Sequence, residues 1–390
     1  MSDTGSDPLP AAAPTDVPGC VDELVAQMRA ESEAGFRRAL GALGEVARAG
    51  GPAALTAAVE ALAPLLPTLH GVFARTAVLA GACVERGGSP AALAGVLPAR
   101  TAAALRMFAM VPGLWAQQVP DGFPPPPDWS SPDAVDEVVR ACTAVGARGG
   151  FGAAEMRAVA LSWFDAEDWL RASITVLGHR EFRAAADPEE LRELRAATED
   201  VAELSLVPEE FGLRGVARRA LWADQLAAVL DDEPLIVLDP GSGRGFALTM
   251  SGVGDNFQLH TLLADRLIGS RLRGLLPGEP PARSWVAAAT GGSPRTAPDD
   301  PVLRRFRLFD GHGRYVAPEG IPADIRPLDG VRVLVLHPPR GRFGWTSGRV
   351  FEHLVPSLRL ERRLPRQEAA AWLRRTAPAR EDDLLAPAGP

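Results

Sequence analysis

The chain contains no lysine: all 41 of its basic residues are arginine. With the excess of Ala, Gly and Pro, this reads as the codon usage of a GC-rich gene and bears on origin rather than mechanism. Only one tyrosine and three cysteines occur in 390 residues. Cys20, Cys83 and Cys142 stand far apart, odd in number and without a C-x-x-C pair, which argues against a disulfide framework or a cysteine-based zinc site and fits a reducing compartment. Long apolar runs are missing too. Glu60, His70 and Arg75 interrupt the longest candidates before the roughly 18 residues a membrane span requires, so no membrane partner is expected. The segment MSDTGSDPLP carries two aspartates and no arginine, lacks the charged and apolar regions of a secretory signal, and makes a cytoplasmic location the expectation.

What remains is the composition of a globular chain. Hydrophobic residues make up 46% and charged residues 23%, with 39 Gly and 36 Pro, which leaves room for two or three cores at ~150 residues each. The formal charge of −8 hides an asymmetry. Residues 302–380 hold 16 Arg against 7 Asp and Glu, a net of +9, and the remainder holds 25 against 42, a net of −17. The basic part is expected to face the acidic part, solvent, or an anionic partner.

Residues 1–19 and 378–390 are Pro-, Ala- and Asp-rich without periodicity, and are expected to be disordered tails. Between residues 20 and 116 the apolar positions recur at three- and four-residue steps, as in Val21, Leu24, Val25 and Met28, then Phe36, Leu40 and Leu43. Gly50-Gly51-Pro52 and Ser89-Pro90 punctuate the pattern as helix starts, so a bundle of four or five helices is expected. The segment 117–132, with Pro124 to Pro127 in succession, forbids helix and is the expected linker. Residues 133–232 read as a further helical segment. Near Asp231 the period changes, and residues 233–377 read as an α+β domain. Its expected strands are Leu235–Leu238, Phe246–Met250, Trp285–Ala289, Phe306–Phe309, Val331–His337 and Leu358–Leu364, with helices over Asp255–Ser270 and Gln367–Arg375. The predicted fold class is therefore α+β, with a mostly antiparallel sheet, because the turns near Gly243 and Gly341 are too short to hold crossover helices.

The run IVLDPGSGRG, Ile236 to Gly245, invites a nucleotide or methyl-transfer reading. That mechanism demands a helix N-terminus directly after the loop, whereas FALTMSGV is β-like, so a hairpin is predicted. No cofactor is expected. An internal echo, V-L-x-P-x-x-G-R, repeats from Val237 to Arg244 and again from Val335 to Arg342. Were the two turns side by side, Arg244, Arg340 and Arg342 would form a cationic edge near His337 for a carboxylate or phosphate.

Asp255 and Gln258 have the spacing of a capping box, with Asn256 between them, and His260 falls inside the apolar arc of the helix that follows. A histidine aimed at a core needs a hydrogen-bond partner or a chemical role. The six histidines show no metal-ligand spacing, and no metal is expected. No G-x-S-x-G elbow, Walker A loop or nucleic-acid-binding pattern is present, and Trp163, Trp169, Trp222 and Trp372 occupy apolar helical positions read as core. The reading that results is a cytoplasmic binding or interaction protein engaging a protein partner or a small anionic ligand, without nucleic acid. The alternative is an enzyme or ligand sensor whose pocket gathers Asp239, Arg244, Asn256, His260 and His337.

Overall fold

A computed structural model of the chain describes residues 16–118, 126–127, 133–204, 214–269, 275–290, 302–341, 343–345, 351 and 353–380. These form two compact units. One comprises the chain through Leu177 together with Glu181–Asp224, the other Gly178–Arg180 together with Gln225 onward. Both tails lie largely outside the described residues.

Among the described residues ten α-helices come first: α1 (Val17–Arg29), α2 (Glu33–Ala49), α3 (Gly51–Leu62), α4 (Arg75–Glu85), α5 (Leu97–Ala116), α6 (Ala134–Gly149), α7 (Ala153–Leu177), α8 (Arg180–Ala185), α9 (Pro188–Leu204) and α10 (Arg214–Ala227). Local chemistry explains several boundaries. Asp16 and Ser32 cap α1 and α2 by accepting from the Gly19 and Gly35 amides at 2.9 and 3.2 Å. Pro52 sits in the first turn of α3, where its missing N–H leaves no bond unmade. The Ser89-Pro90 signal opens only a 3-10 turn over Ala91–Leu93, and the helix proper starts at Leu97.

Helix α5 packs on α7 and α9, and α7 also receives α4 and α6. Val111 and Trp115 of α5, Val138 and Cys142 of α6, and Met156 and Val159 of α7 share one buried cluster. The helices before and after residues 117–132 are thus built on common apolar surface, and that segment joins elements of one unit instead of separating domains. Its Pro127 carbonyl accepts from the Trp163 indole at 3.1 Å, while most of the expected linker lies outside the described residues.

The second unit contains β1 (Glu233–Asp239), β2 (Arg244–Ser251), α11 (Asn256–Leu267), α12 (Arg283–Thr290), β3 (Val302–Leu303), β4 (Arg307–Asp310), β5 (Pro327–Leu328), β6 (Val331–His337), β7 (Gly344–Trp345), β8 (Ser357–Arg363) and α13 (Arg366–Arg375). Its main sheet runs in the order β4-β6-β1-β2-β8, with β5 also paired to β6. Leu235, Val237, Phe246, Leu248 and Met250 bury one face with Leu259, Leu262 and Leu263 of α11. Ile236, Leu238 and Val333 bury the other with Ala369, Trp372 and Leu373 of α13. This alternation gives β1 and β6 two apolar faces, with about 1.5–3 kcal/mol for each fully buried large side chain.

The α+β class is as expected, with two corrections. The sheet is mixed, because β1 and β6 are parallel, with Leu235 opposite Arg332 and Leu238 opposite Val335. The chain reaches this arrangement through the long excursion between Ser251 and Val331, so the shortness of the turns near Gly243 and Gly341 places no limit on it. Trp285–Ala289 lies in helix α12, not in a strand. Its buried residues Trp285, Ala288 and Ala289 have the three- and four-residue spacing of a helical face, and an alanine-rich stretch favours helix.

Candidate functional site

The glycine-bearing loop after β1 is a hairpin. Strands β1 and β2 are antiparallel from Glu233–Met250 through Asp239–Arg244, with Gly243 at φ +66° in the turn. No helix N-terminus follows Gly245, so the arrangement that places backbone amides and a helix dipole against a pyrophosphate is not formed. The Asp239 carboxylate accepts from the Ser242 amide at 3.2 Å and from the Ser242 hydroxyl, which commits it to shaping the turn. Arg244, opposite Asp239, donates from Nη1 to the Leu275 carbonyl.

Strand β6 ends at the same end of the sheet, as its parallel pairing with β1 requires. The echo sequences are therefore neighbours, but only the first returns as a hairpin. β6 already has β1 and β4 on its two sides, and the chain after it runs on to β7, which pairs with β3 in a separate ribbon. His337 packs edge-on to Phe309, with ring centroids 4.9 Å apart, and stands opposite Arg307 in the register. Arg340 is exposed on the turn that follows. Arg342 lies outside the described residues.

Asn256 and His260 are buried on α11, with other partners. Asn256 donates from Nδ2 to the Ala317 carbonyl at 2.8 Å, and its backbone N–H reaches Gly320 at 2.9 Å. The expected capping box is displaced by one residue: Asp255 accepts from the Gln258 amide at 2.7 Å, while the Gln258 side chain accepts from Gly254 at 2.9 Å. Burial pushes the Asp255 carboxyl up to about 6, against the pull of the Gln258 and Phe257 amides.

His260 is only 3% exposed, and its Nε2 accepts from the Arg305 and Phe306 amides at 2.9 and 3.2 Å. Both bonds need a lone pair on Nε2, so the ring is neutral with its proton on Nδ1. Trp345 closes edge-on over the ring at 4.8 Å. Burial, reinforced by Arg304 and Arg305, depresses its pKa to about 3. A base reachable by substrate needs access and an uncommitted lone pair, and the lone pair of this buried ring is taken by the two amides. Where they are described, the residues expected at the site thus serve three separate local structures.

The structure places a different cleft in this unit, of about 570 Å³, at the β8 end of the sheet. Arg180, Arg266 and Arg359 line it together with the hydroxyls of Thr249, Ser251 and Ser357, and with Asp232 and Asp265. Each arginine is held. Arg180 pairs with Asp232, Arg266 lies 3.7 Å from Asp265, and Arg359 Nε donates to Glu361 at 2.6 Å. Thr249 donates to the same Glu361 oxygen at 2.6 Å, and these two contacts hold the Glu361 carboxyl below its usual range. Asp232 adopts φ +51° and accepts from Ser251, while its own amide donates to the Ser251 hydroxyl at 2.8 Å.

Sequence reasoning missed this cleft because its residues come from positions 180 to 360 and share no motif. A faint signal existed in β8, where Leu358 and Leu360 alternate with Arg359 and Glu361, an edge-strand pattern. A second buried polar cluster in the helical unit, Arg100 with Asp165 and Trp169, was equally invisible. Among the described residues, no three His, Cys, Asp or Glu side chains converge as a metal ion requires, and no helix is long and apolar enough to cross a membrane. Comparison of the chain with family models, with curated proteins and with solved structures gives no match.

Proposed function

We propose that the chain is a binding protein whose second unit takes an anionic partner along the arginine-lined cleft. The lining carries this reading: three guanidinium groups and three hydroxyls border one cavity of about 570 Å³. Guanidinium forks match the geometry of carboxylate and phosphate, while the Thr249 and Ser251 hydroxyls donate to Glu361 and Asp232 and fix the carboxylates around the arginines. Asp232 and Asp265 hold two of the arginines near the cleft and reduce the rearrangement that binding requires. An enzyme reading would begin from Asp239 and His260, and both already have structural duties.

Calorimetric titration of the intact protein with tripolyphosphate and with hexaglutamate, at low and high salt, tests the reading. Saturable binding of either probe is expected, weakened by salt and by Arg359→Glu. If neither probe gives heat at low salt, the reading falls.

A further inference from the structure

Resting on the reading that this cleft takes an anionic partner, we infer that the partner is an extended acidic peptide segment that adds a strand to β8. Strand β8 ends the sheet order, and among the described residues it pairs with β2 alone. An edge strand presents every second residue's N–H and C=O outward. The Leu358 carbonyl accepts from Arg266 Nε at 3.0 Å, a group outside the sheet, which sets the phase of the strand. Leu358 and Leu360 therefore turn their backbone groups away from β2, the Leu358 carbonyl already taken by Arg266, and Arg359 turns its own toward Thr249 on β2, ahead of the bulge at Glu361.

The cleft lies on that edge. Successive side chains of a strand point to opposite faces, so a cavity on one face touches alternate residues. This one touches Ser357, Leu358, Arg359 and Leu360 in succession, together with Thr249 and Ser251 of β2, so it opens along the edge and continues over the face that Thr249 and Ser251 share. The contact runs about 13 Å along the strand, the length of a short extended peptide.

Charge selects the occupant. Residues 357–366 hold four arginines, Arg359, Arg362, Arg363 and Arg366, against Glu361, and all five side chains are exposed. An acidic strand reverses that sign: its backbone pairs at Leu360, and one of its carboxylates meets Arg266.

The test uses the full chain and three probes: a peptide alternating Glu and Val, the same peptide N-methylated on the amides that would face β8, and tripolyphosphate. The parent peptide is expected to bind and to slow hydrogen exchange at the Leu360 amide. The N-methylated peptide has the same charge but lacks the donors, and is expected to bind roughly tenfold more weakly for each hydrogen bond lost. Equal binding of the two peptides overturns strand addition and leaves the anionic reading standing. Binding of tripolyphosphate without either peptide does the same, and no binding by any probe removes both.

Discussion

Arg100 lies with its guanidinium 4.3 Å over the ring of Trp169, and both side chains are buried within the helical unit. From that position Arg100 Nη2 donates to the Leu69 carbonyl at 2.6 Å and to His70 Nδ1 at 3.0 Å. Asp165, fully buried on α7, accepts from the Gly71 amide at 2.7 Å. Helices α5 and α7 thus each grip one side of the Leu69–Gly71 corner, where Gly71 takes φ +61° as it opens the second of two 3-10 segments. The aromatic face and the carbonyl offset the cost of removing a cation from water.

Replacing Arg100 by methionine fills the same space without the donors. The Leu69 carbonyl then loses its partner, and Asp165 loses the nearby positive charge that favours its ionised form. A loss of about 1–3 kcal/mol is expected, the cost of leaving the buried Leu69 carbonyl without its partner. Urea denaturation of the variant measures it, and a change below about 0.5 kcal/mol, the scale of an ordinary surface substitution, would show that the corner stands without Arg100.

Asp165 gives the cluster a pH dependence with a definite sign. Burial pushes its carboxyl up to about 7 from the usual 3.8, opposed by Arg100 and the Gly71 amide. The folded chain therefore retains a proton that the unfolded chain releases. The resulting stabilisation is complete below the unfolded value and is lost as pH rises through about 7. His70, lowered from 6.5 to about 4 by burial and Arg100, acts oppositely, contributing above 6.5 and losing its contribution as pH falls through about 4. In Asp165→Asn the first term vanishes and the second stays. The stability difference between parent and variant is expected to move in the parent's favour as pH falls from about 7 to about 4, read from urea midpoints across that range. A pH-independent difference would contradict the assignment.

His260 is expected to remain neutral throughout the ordinary range. Its folded value of about 3 lies below the usual 6.5, so its contribution is present above 6.5 and is lost as pH falls toward 3. Its ring proton resonances should stay flat in NMR spectra between about pH 5 and 8, where an exposed histidine titrates. His260→Leu strands the Arg305 and Phe306 amides at a cost of about 1–3 kcal/mol for each unsatisfied group. A midpoint near 6.5 would mean that the ring is open to solvent.

Local signals explain what the sequence made legible. Asp255 followed by a leucine-rich helical period marked α11, and the Asp239-to-Arg244 segment marked the hairpin, because each depends on residues a few positions apart. Trp285 was misread because an eight-residue helix spans barely two turns and its apolar run also suits a strand. The parallel pairing of β1 with β6, and the meeting of Arg180, Asp232 and Ser357 at one cleft, depend on contacts between distant positions. Arg100 was hidden differently: an arginine in an alanine-rich helix has the pattern of a solvated face, and only the position of Trp169 shows that it is buried.

Gly313 and Gly330 provide a controlled comparison of backbone strain with steric exclusion. Both have positive φ, +77° and +81°, so alanine at either site incurs the left-handed penalty of about 1–2 kcal/mol. At Gly330 an added Cβ meets nothing within 4 Å, whereas at Gly313 it would lie 2.1 Å from the Pro378 carbonyl oxygen. That contact belongs to the segment after α13, which is tied back by bonds from the Ala377 amide to Gly311 at 2.9 Å and from the Arg380 amide to Gly313 at 2.8 Å. Gly330→Ala is therefore expected to lose about 1–2 kcal/mol with the segment after α13 still docked. Gly313→Ala is expected to lose more and to release residues 376–380, seen as faster amide exchange at Ala377 and Arg380 and earlier cleavage after Arg375 by trypsin. Equal losses in the two variants, with unchanged exchange at Ala377, would show that the close approach of Gly313 to Pro378 does not hold that segment in place.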